Sequence, residues 1–145
     1  MILTEQAYYL LMAAMAVVAV IVFFALYRVR AGYGIFHSGG WGPAVNNRLG
    51  WVLMEAPAFL TMLAVWAASS RRGELAPLVM FLLYELHYFQ RAFVFPLLIR
   101  GRSRMPMAIL AMGAFFNLLN AYIQGAWLFR FAPEGLYTPA WLLSP

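Results

Sequence analysis

Residues 75–100 read LAPLVMFLLYELHYFQRAFVFPLLIR. A mostly apolar run of about twenty-five residues crosses a bilayer as one helix. The middle of this run nevertheless holds Glu85, His87, Tyr88 and Arg91. Ionisable side chains at membrane depth are costly, and by default they mark functional sites.

The rest of the chain fits that environment. Of its 145 residues, 65% are hydrophobic and only 10% are charged. A soluble domain carries roughly 25% charged residues, so one small soluble core cannot hide this much apolar surface. The class is an all-α integral membrane protein. There are no cysteines, which excludes disulfides and thiolate metal sites. The two histidines, His37 and His87, stand far apart, and no metal site is expected. Every basic residue is an arginine, and most of them flank apolar segments. The net charge of +5 therefore reads as membrane topology rather than nucleic-acid binding.

Four apolar segments predict four transmembrane helices, at about residues 7–27, 49–70, 75–99 and 105–129 of a single transmembrane domain spanning 1–145. The first is uncharged throughout and is followed, not preceded, by Arg28 and Arg30. It reads as a retained helix rather than a signal peptide. Arg28, Arg30 and Arg48 lie in the first connection, and Arg100, Arg102 and Arg104 in the third. The second connection and the end of the fourth segment carry only Arg71, Arg72 and Arg130. The positive-inside bias predicts cytoplasmic first and third loops and an extracytoplasmic N-terminus. Pro77 and Pro106 fall in first helical turns, where proline costs little. Pro57 lies inside the second helix and should free the Leu53 carbonyl, close to Glu55.

Tyr84, Tyr88 and Arg91 share one face of the third helix by their spacing. Arg91 is nine residues in from Arg100, roughly 13 Å at helical rise. At that depth it needs a carboxylate or carbonyls, and Glu55 lies at similar depth, able to meet Tyr88 or Arg91. Asn117, Asn120 and Gln124 form an amide stripe on the fourth segment, with Gly113 beginning the same row. Such amides either glue helices together or face a cavity. Burial favours the neutral form of a carboxylic acid. A neutral acid or a tyrosine hydroxyl in a dry pocket donates to a developing oxyanion. Those groups suit the polarisation of a ketone conjugated to an alkene, with any reducing equivalent coming from a cofactor. A proton-coupled transporter or a non-catalytic helical subunit would use the same residue types.

Several motifs carry a resemblance that selects among these. Asn47-Arg48-Leu49-Gly50-Trp51 with Met54-Glu55-Ala56-Pro57 resembles the second-helix motif of the steroid 5α-reductase (3-oxo-5α-steroid 4-dehydrogenase) family. His87-Tyr88-Phe89-Gln90-Arg91, continuing to Arg100 and Gly101, is similar to its third-helix motif. Asn120-Ala121-Tyr122-Ile123-Gln124-Gly125 and Glu134-Gly135-Leu136-Tyr137-Thr138 resemble the runs that follow. Met54, Gln90 and Ala121 depart from the residues frequent in the family, which are Gln, His and Gly.

The resemblance implies the first part of a seven-helix bundle, ending before most of the cofactor-binding half. It implies reduction of the Δ4 C=C bond of a 3-oxo-steroid or similar lipophilic enone, with hydride from NADPH. Glu55 and Tyr88 would hydrogen-bond the ketone as the catalytic pair. Tyr33, Trp51, Met112, Phe116 and Asn117 would line the substrate slot. Arg100, Arg102 and Asn120 would approach NADPH, with Arg91 and Gln124 in support. The expected partners are a steroid-like lipid and the bilayer of a bacterial inner or ER-type membrane, for a monomeric enzyme that binds no nucleic acid. Polyprenol and enoyl-thioester reductases resemble the same superfamily and remain the alternative substrates. Glu85 and His87 read as structural.

Overall fold

The computed structural model describes residues 3–29, 41–101 and 103–143. Within them the chain is a bundle of long helices. Helix α1 spans Glu5–Ala25, α2 Asn47–Ala67, α3 Leu75–Phe89 and α5 Met107–Ala126. A short α4, Phe95–Leu98, continues α3 beyond a wide π turn at Gln90–Val94. A second π turn, Trp127–Phe131, ends α5, and a 3₁₀ turn covers Pro139–Leu143.

Both π turns run into proline. In the first, the Phe95 N–H bonds the Gln90 carbonyl, just before Pro96. In the second, the Ala132 N–H bonds the Trp127 carbonyl at 2.8 Å, just before Pro133. Proline offers no N–H, and its ring crowds the carbonyl four residues back. Widening the turn relieves that crowding, and π turns of this kind cluster at functional positions. After Pro133 the relieved carbonyl is Phe129, which accepts a 2.8 Å bond from the Ser69 hydroxyl.

Three helices are long and apolar enough to cross a membrane: Glu5–Ala25, Asn47–Ala67 and Met107–Phe131. With their exposed leucines, valines and phenylalanines they define an integral membrane protein. The segment from Leu75 to Leu98 is not among these three, since Glu85, His87, Gln90 and Arg91 dilute it.

The helix boundaries differ from the sequence expectation for local reasons. α2 starts earlier because Asn46 caps it, its side chain accepting from the Arg48 and Leu49 N–H groups. α5 starts later because Arg104–Pro106 (β2) pairs antiparallel with Ala44–Asn46 (β1), setting Val45 opposite Met105. This two-stranded clip ties together the starts of α2 and α5. It also brings the first and third connections to one end of the bundle. There Arg48 closes the end of α4 by donating twice to the Ile99 carbonyl, at 2.8 and 3.1 Å.

α2 and α5 approach closely. A Cβ added at Gly113 of α5 would sit 2.5 Å from the Met54 sulfur of α2, and one at Gly50 of α2 would sit 2.9 Å from the Met105 Cβ of β2. Small residues permit such contacts between membrane helices. The packed core lies toward the far end of α2, where Ala58, Met62, Phe81, Ala121, Leu128 and Phe129 cluster. Trp66 stacks on Phe81 there, with ring centroids 4.7 Å apart. α1 docks only by its first turns. Tyr8 is buried, donates to the Ile123 carbonyl at 3.1 Å and packs on Phe131. Toward the clip, α1 stands apart from α2 and α5, and a cavity opens between them.

Candidate functional site

Glu55 is the polar centre of the bundle. It sits midway along α2, with only 3% of its surface exposed. The Arg91 Nε–H donates to its Oε1 at 2.8 Å. The Asn117 amide donates to its Oε2 at 3.0 Å and, at 2.8 Å, to the Met54 carbonyl. Three helical segments are thus joined at one carboxyl group. A buried ion pair of this kind survives only when its remaining lone pairs are satisfied, and here both oxygens are.

Arg91 is the second residue of the π turn. Its guanidinium lies over the Trp51 ring, 5.0 Å from the centroid. Trp51 in turn meets Phe95 edge-on at 5.1 Å. The Arg91 side chain is 43% exposed, and that exposed part faces the cavity beside α1.

That cavity measures about 740 Å³, within the range of small-molecule sites. Leu11, Met15, Val18 and Val22 of α1 form one wall, and Met112, Phe115 and Phe116 of α5 another. Trp51, Met54 and Arg91 complete the floor. Arg91 is the one charged side chain in its lining among the described residues. The occupant that suits these walls is lipophilic, with one oxygen able to meet a cation.

The residues singled out in the sequence fall in different places. Trp51, Met112 and Phe116 line the cavity. Glu55 and Asn117 lie behind Arg91, outside the lining. Tyr88 stacks against Tyr84 at 4.5 Å and packs on the core cluster, with no hydrogen bond to Glu55 among the described residues. Of the two partners considered for Glu55, the structure supplies Arg91. Both Glu55 oxygens are thus engaged, one by Arg91 and the other by Asn117.

The amide stripe divides. Asn117 turns inward, whereas Gln124 donates to Asn120 at 2.9 Å on the outer face of α5. Arg100 is exposed just beyond α4. Tyr33 and Arg102 lie outside the described residues. The wall of α1 was missed from the sequence, because α1 is apolar on all sides and carries no mark of a binding face. The carbonyl that Asn117 takes up is that of Met54, one residue beyond the Leu53 carbonyl expected from Pro57.

Glu85 is also buried, at 8% exposure, yet neither of its carboxyl oxygens has a hydrogen-bond partner among the described residues. The Tyr84 hydroxyl is likewise unsatisfied. Outside the membrane helices, Arg71 bonds both carboxyl oxygens of Glu74 at 2.7 and 2.8 Å. This pairing holds the Glu74 carboxyl below the usual range.

Fold and site together define a membrane protein with a large apolar cavity over a buried ion pair. Curated proteins similar to the chain give that class a name. Steroid 5-alpha-reductase DET2 of Arabidopsis thaliana is 32% identical over 112 residues, 73% of this chain and 43% of that protein. 3-oxo-5-alpha-steroid 4-dehydrogenase 1 of Mus musculus is 33% identical over 129 residues, 88% of this chain and 49% of that protein. Its Homo sapiens counterpart is 30% identical over 103 residues, 70% of this chain and 39% of that protein. No family model matches the chain. By sequence the chain belongs to the steroid 5α-reductase family. It spans less than half the length of each of these relatives.

Proposed function

We propose that this chain is the substrate-binding part of a membrane reductase that acts on the Δ4 C=C bond of a 3-oxo-steroid or a similar lipophilic enone. The observation that carries the reading is the cavity itself. Its walls are apolar, it is large enough for a fused-ring lipid, and it ends on a cation fixed by a buried acid. The relatives named for 3-oxo-5-alpha-steroid reduction supply the substrate class.

In this reading the ketone oxygen points to the floor of the cavity. Charge develops on that oxygen when hydride reaches one alkene carbon, fixed donors in a dry site stabilise it, and a proton added to the other alkene carbon restores the ketone. Glu55 and Tyr88 are the pair assigned to this task. Glu55 works through its ion pair with Arg91, and Asn117 fixes its second oxygen. Tyr88 is placed one turn before Arg91, at the junction of α3 with the core. The apolar walls exclude water and strengthen every electrostatic contact within.

NADPH supplies the hydride when bound. The donors present fit such a group in kind: Arg100 offers a guanidinium for a phosphate, and Asn120 offers an amide, with Gln124 bonded to it in support. Arg102 is assigned to the same task. Leu75–Leu98 acts as a fourth span within a seven-helix arrangement, with the clip end of the bundle cytoplasmic and the N-terminus outside. The enzyme is read as a monomer.

A substrate panel tests the function. Membranes carrying the full-length protein should consume NADPH with a 3-oxo-Δ4-steroid and yield the 5α-reduced ketone. Consumption with a polyprenol or an enoyl-thioester instead would move the substrate class. Uptake driven by a pH gradient, without NADPH oxidation, would overturn the enzyme reading.

A further inference from the structure

We propose that a second cavity, at the end of the bundle away from the clip, binds one anionic phospholipid and holds it as a fixed part of the structure. This cavity shares no lining residue with the one beside α1.

Three observations carry the assignment. The first is shape. A trough of about 560 Å³ runs between the second half of α2 and the end of α5. Ala64, Ala68 and Ala126 keep its floor low. Beneath that floor the helices meet closely, since a Cβ added at Gly125 would lie 3.2 Å from the Val65 side chain. An acyl chain sinks into such a trough instead of lying over the helix surface. The second is polarity along its length. Leu60 stands about 10 Å inside the end of α2 at helical rise. Ser69 and Ser70 follow that end, and Arg130 belongs to the π turn that closes α5. The lining thus passes from apolar to hydroxyl to cation in the direction in which a bilayer passes from chain to headgroup. A water-soluble metabolite has no use for that gradient.

The third is charge. Arg130 is the one charged side chain in the lining among the described residues. Its guanidinium lies over the Phe131 ring, 5.3 Å from the centroid, and its N–H groups have no hydrogen-bond partner among the described residues. Arg71 at the same end is already bonded to both Glu74 oxygens and to the Ala132 carbonyl. Arg130 is therefore the cation left for a phosphate. A choline headgroup would bring a second cation beside it, so an anionic headgroup suits it better. Ser69 fixes the two walls, donating to the Phe129 carbonyl at 2.8 Å and accepting from the Arg71 N–H at 3.0 Å. A lipid in the trough then braces α2 against α5.

Native mass spectrometry of the full-length protein tests this, with phosphatidylglycerol and phosphatidylcholine of identical chains as probes. The natural protein should hold one phosphatidylglycerol about fivefold more tightly than phosphatidylcholine, the worth of one arginine beside an anionic lipid. Arg130→Gln should abolish that preference. Ala64→Phe fills the floor and should weaken both lipids at least about fivefold; should it unfold, Ala64→Leu carries the same test. Binding of a 3-oxo-Δ4-steroid should stay within about twofold in every variant. Equal binding of the two lipids by the natural protein would overturn the proposal, as would a preference that survives Arg130→Gln or a lipid unaffected by filling the trough. Displacement of the lipid by a steroid or by free glycerol phosphate would overturn it too, by assigning the trough to another ligand.

Discussion

Removing Arg91 should cost far more stability than neutralising Glu55. In Arg91→Leu, the buried Glu55 carboxyl keeps only the Asn117 amide, since the guanidinium on Oε1 is gone. Leaving a buried charge without its partner costs about 3–5 kcal/mol. The 43% exposure of Arg91 places this site toward the lower end of that range, about 3 kcal/mol. In Glu55→Gln, the amide oxygen still accepts from Arg91. Its nitrogen, however, meets the Asn117 amide donor to donor. One hydrogen bond is lost, worth about 1 kcal/mol. In the double variant Glu55→Gln/Arg91→Leu no charge remains to be orphaned, and stability should recover to within about 1–2 kcal/mol of the starting protein. The assay is thermal or denaturant unfolding in matched detergent micelles for the four proteins of the cycle. Equal losses in the two single variants, with additive behaviour in the double, would refute the claim that this carboxyl group is buried and held by Arg91.

Four further outcomes follow from particular contacts. Glu85→Met should stabilise the protein or leave it unchanged, because a buried unsatisfied carboxyl costs about 1–3 kcal/mol; a loss above about 1 kcal/mol in the same unfolding assay would mean Glu85 has a partner. Gly50→Ala should destabilise more than Gly113→Ala, since the first meets the Met105 Cβ at 2.9 Å and the second only the movable end of Met54; parallel melting curves for the two would contradict this, whereas an overpacking penalty of about 1–3 kcal/mol for Gly50→Ala agrees. Pro96→Ala removes the crowding that accompanies the π turn and should re-aim Arg91, weakening enone binding about tenfold with stability kept or raised; unchanged affinity would show that the turn does not depend on proline. The Arg71–Glu74 pair depresses the Glu74 carboxyl, so its contribution is present above the unfolded value and fades as pH falls through the lower folded one. Compared with Glu74→Gln, the natural protein should be more stable at neutral pH by no more than about 1 kcal/mol, given its exposure, and the difference should vanish in acid; a difference that grows in acid would reverse the sign.

The helices were legible because apolar runs of bilayer length admit few other folds. Their ends were less so. Asn46 and Ser69 act through side-chain bonds to backbone, and the clip pairs Val45 with Met105 across a long sequence separation. Neither short strand has a run of alternating residues that could mark it. The depth match between Glu55 and Arg91 was readable from counting helical rise, and so was the need of Arg91 for a partner. What the spacing left open was the direction of each side chain. Asn117, Asn120 and Gln124 share a stripe in projection, yet only Asn117 turns toward Glu55, because the row Gly113–Asn117–Ala121–Gly125 is the one that packs on α2. The π turn at Gln90–Val94 shifts every later residue around the helix axis, which a regular helical projection cannot anticipate. Tyr88 precedes that turn and keeps the regular i, i+4 relation to Tyr84, against whose ring it packs.

The measurement that bears most directly on the account is turnover of a 3-oxo-Δ4-steroid with NADPH by the full-length protein, comparing Glu55→Gln and Tyr88→Phe with the natural residues. Each substitution should lower the rate by about 10²-fold or more, the scale of losing one oxyanion donor or its support. Near-normal turnover in both variants would contradict the site described at Glu55, Arg91 and Tyr88.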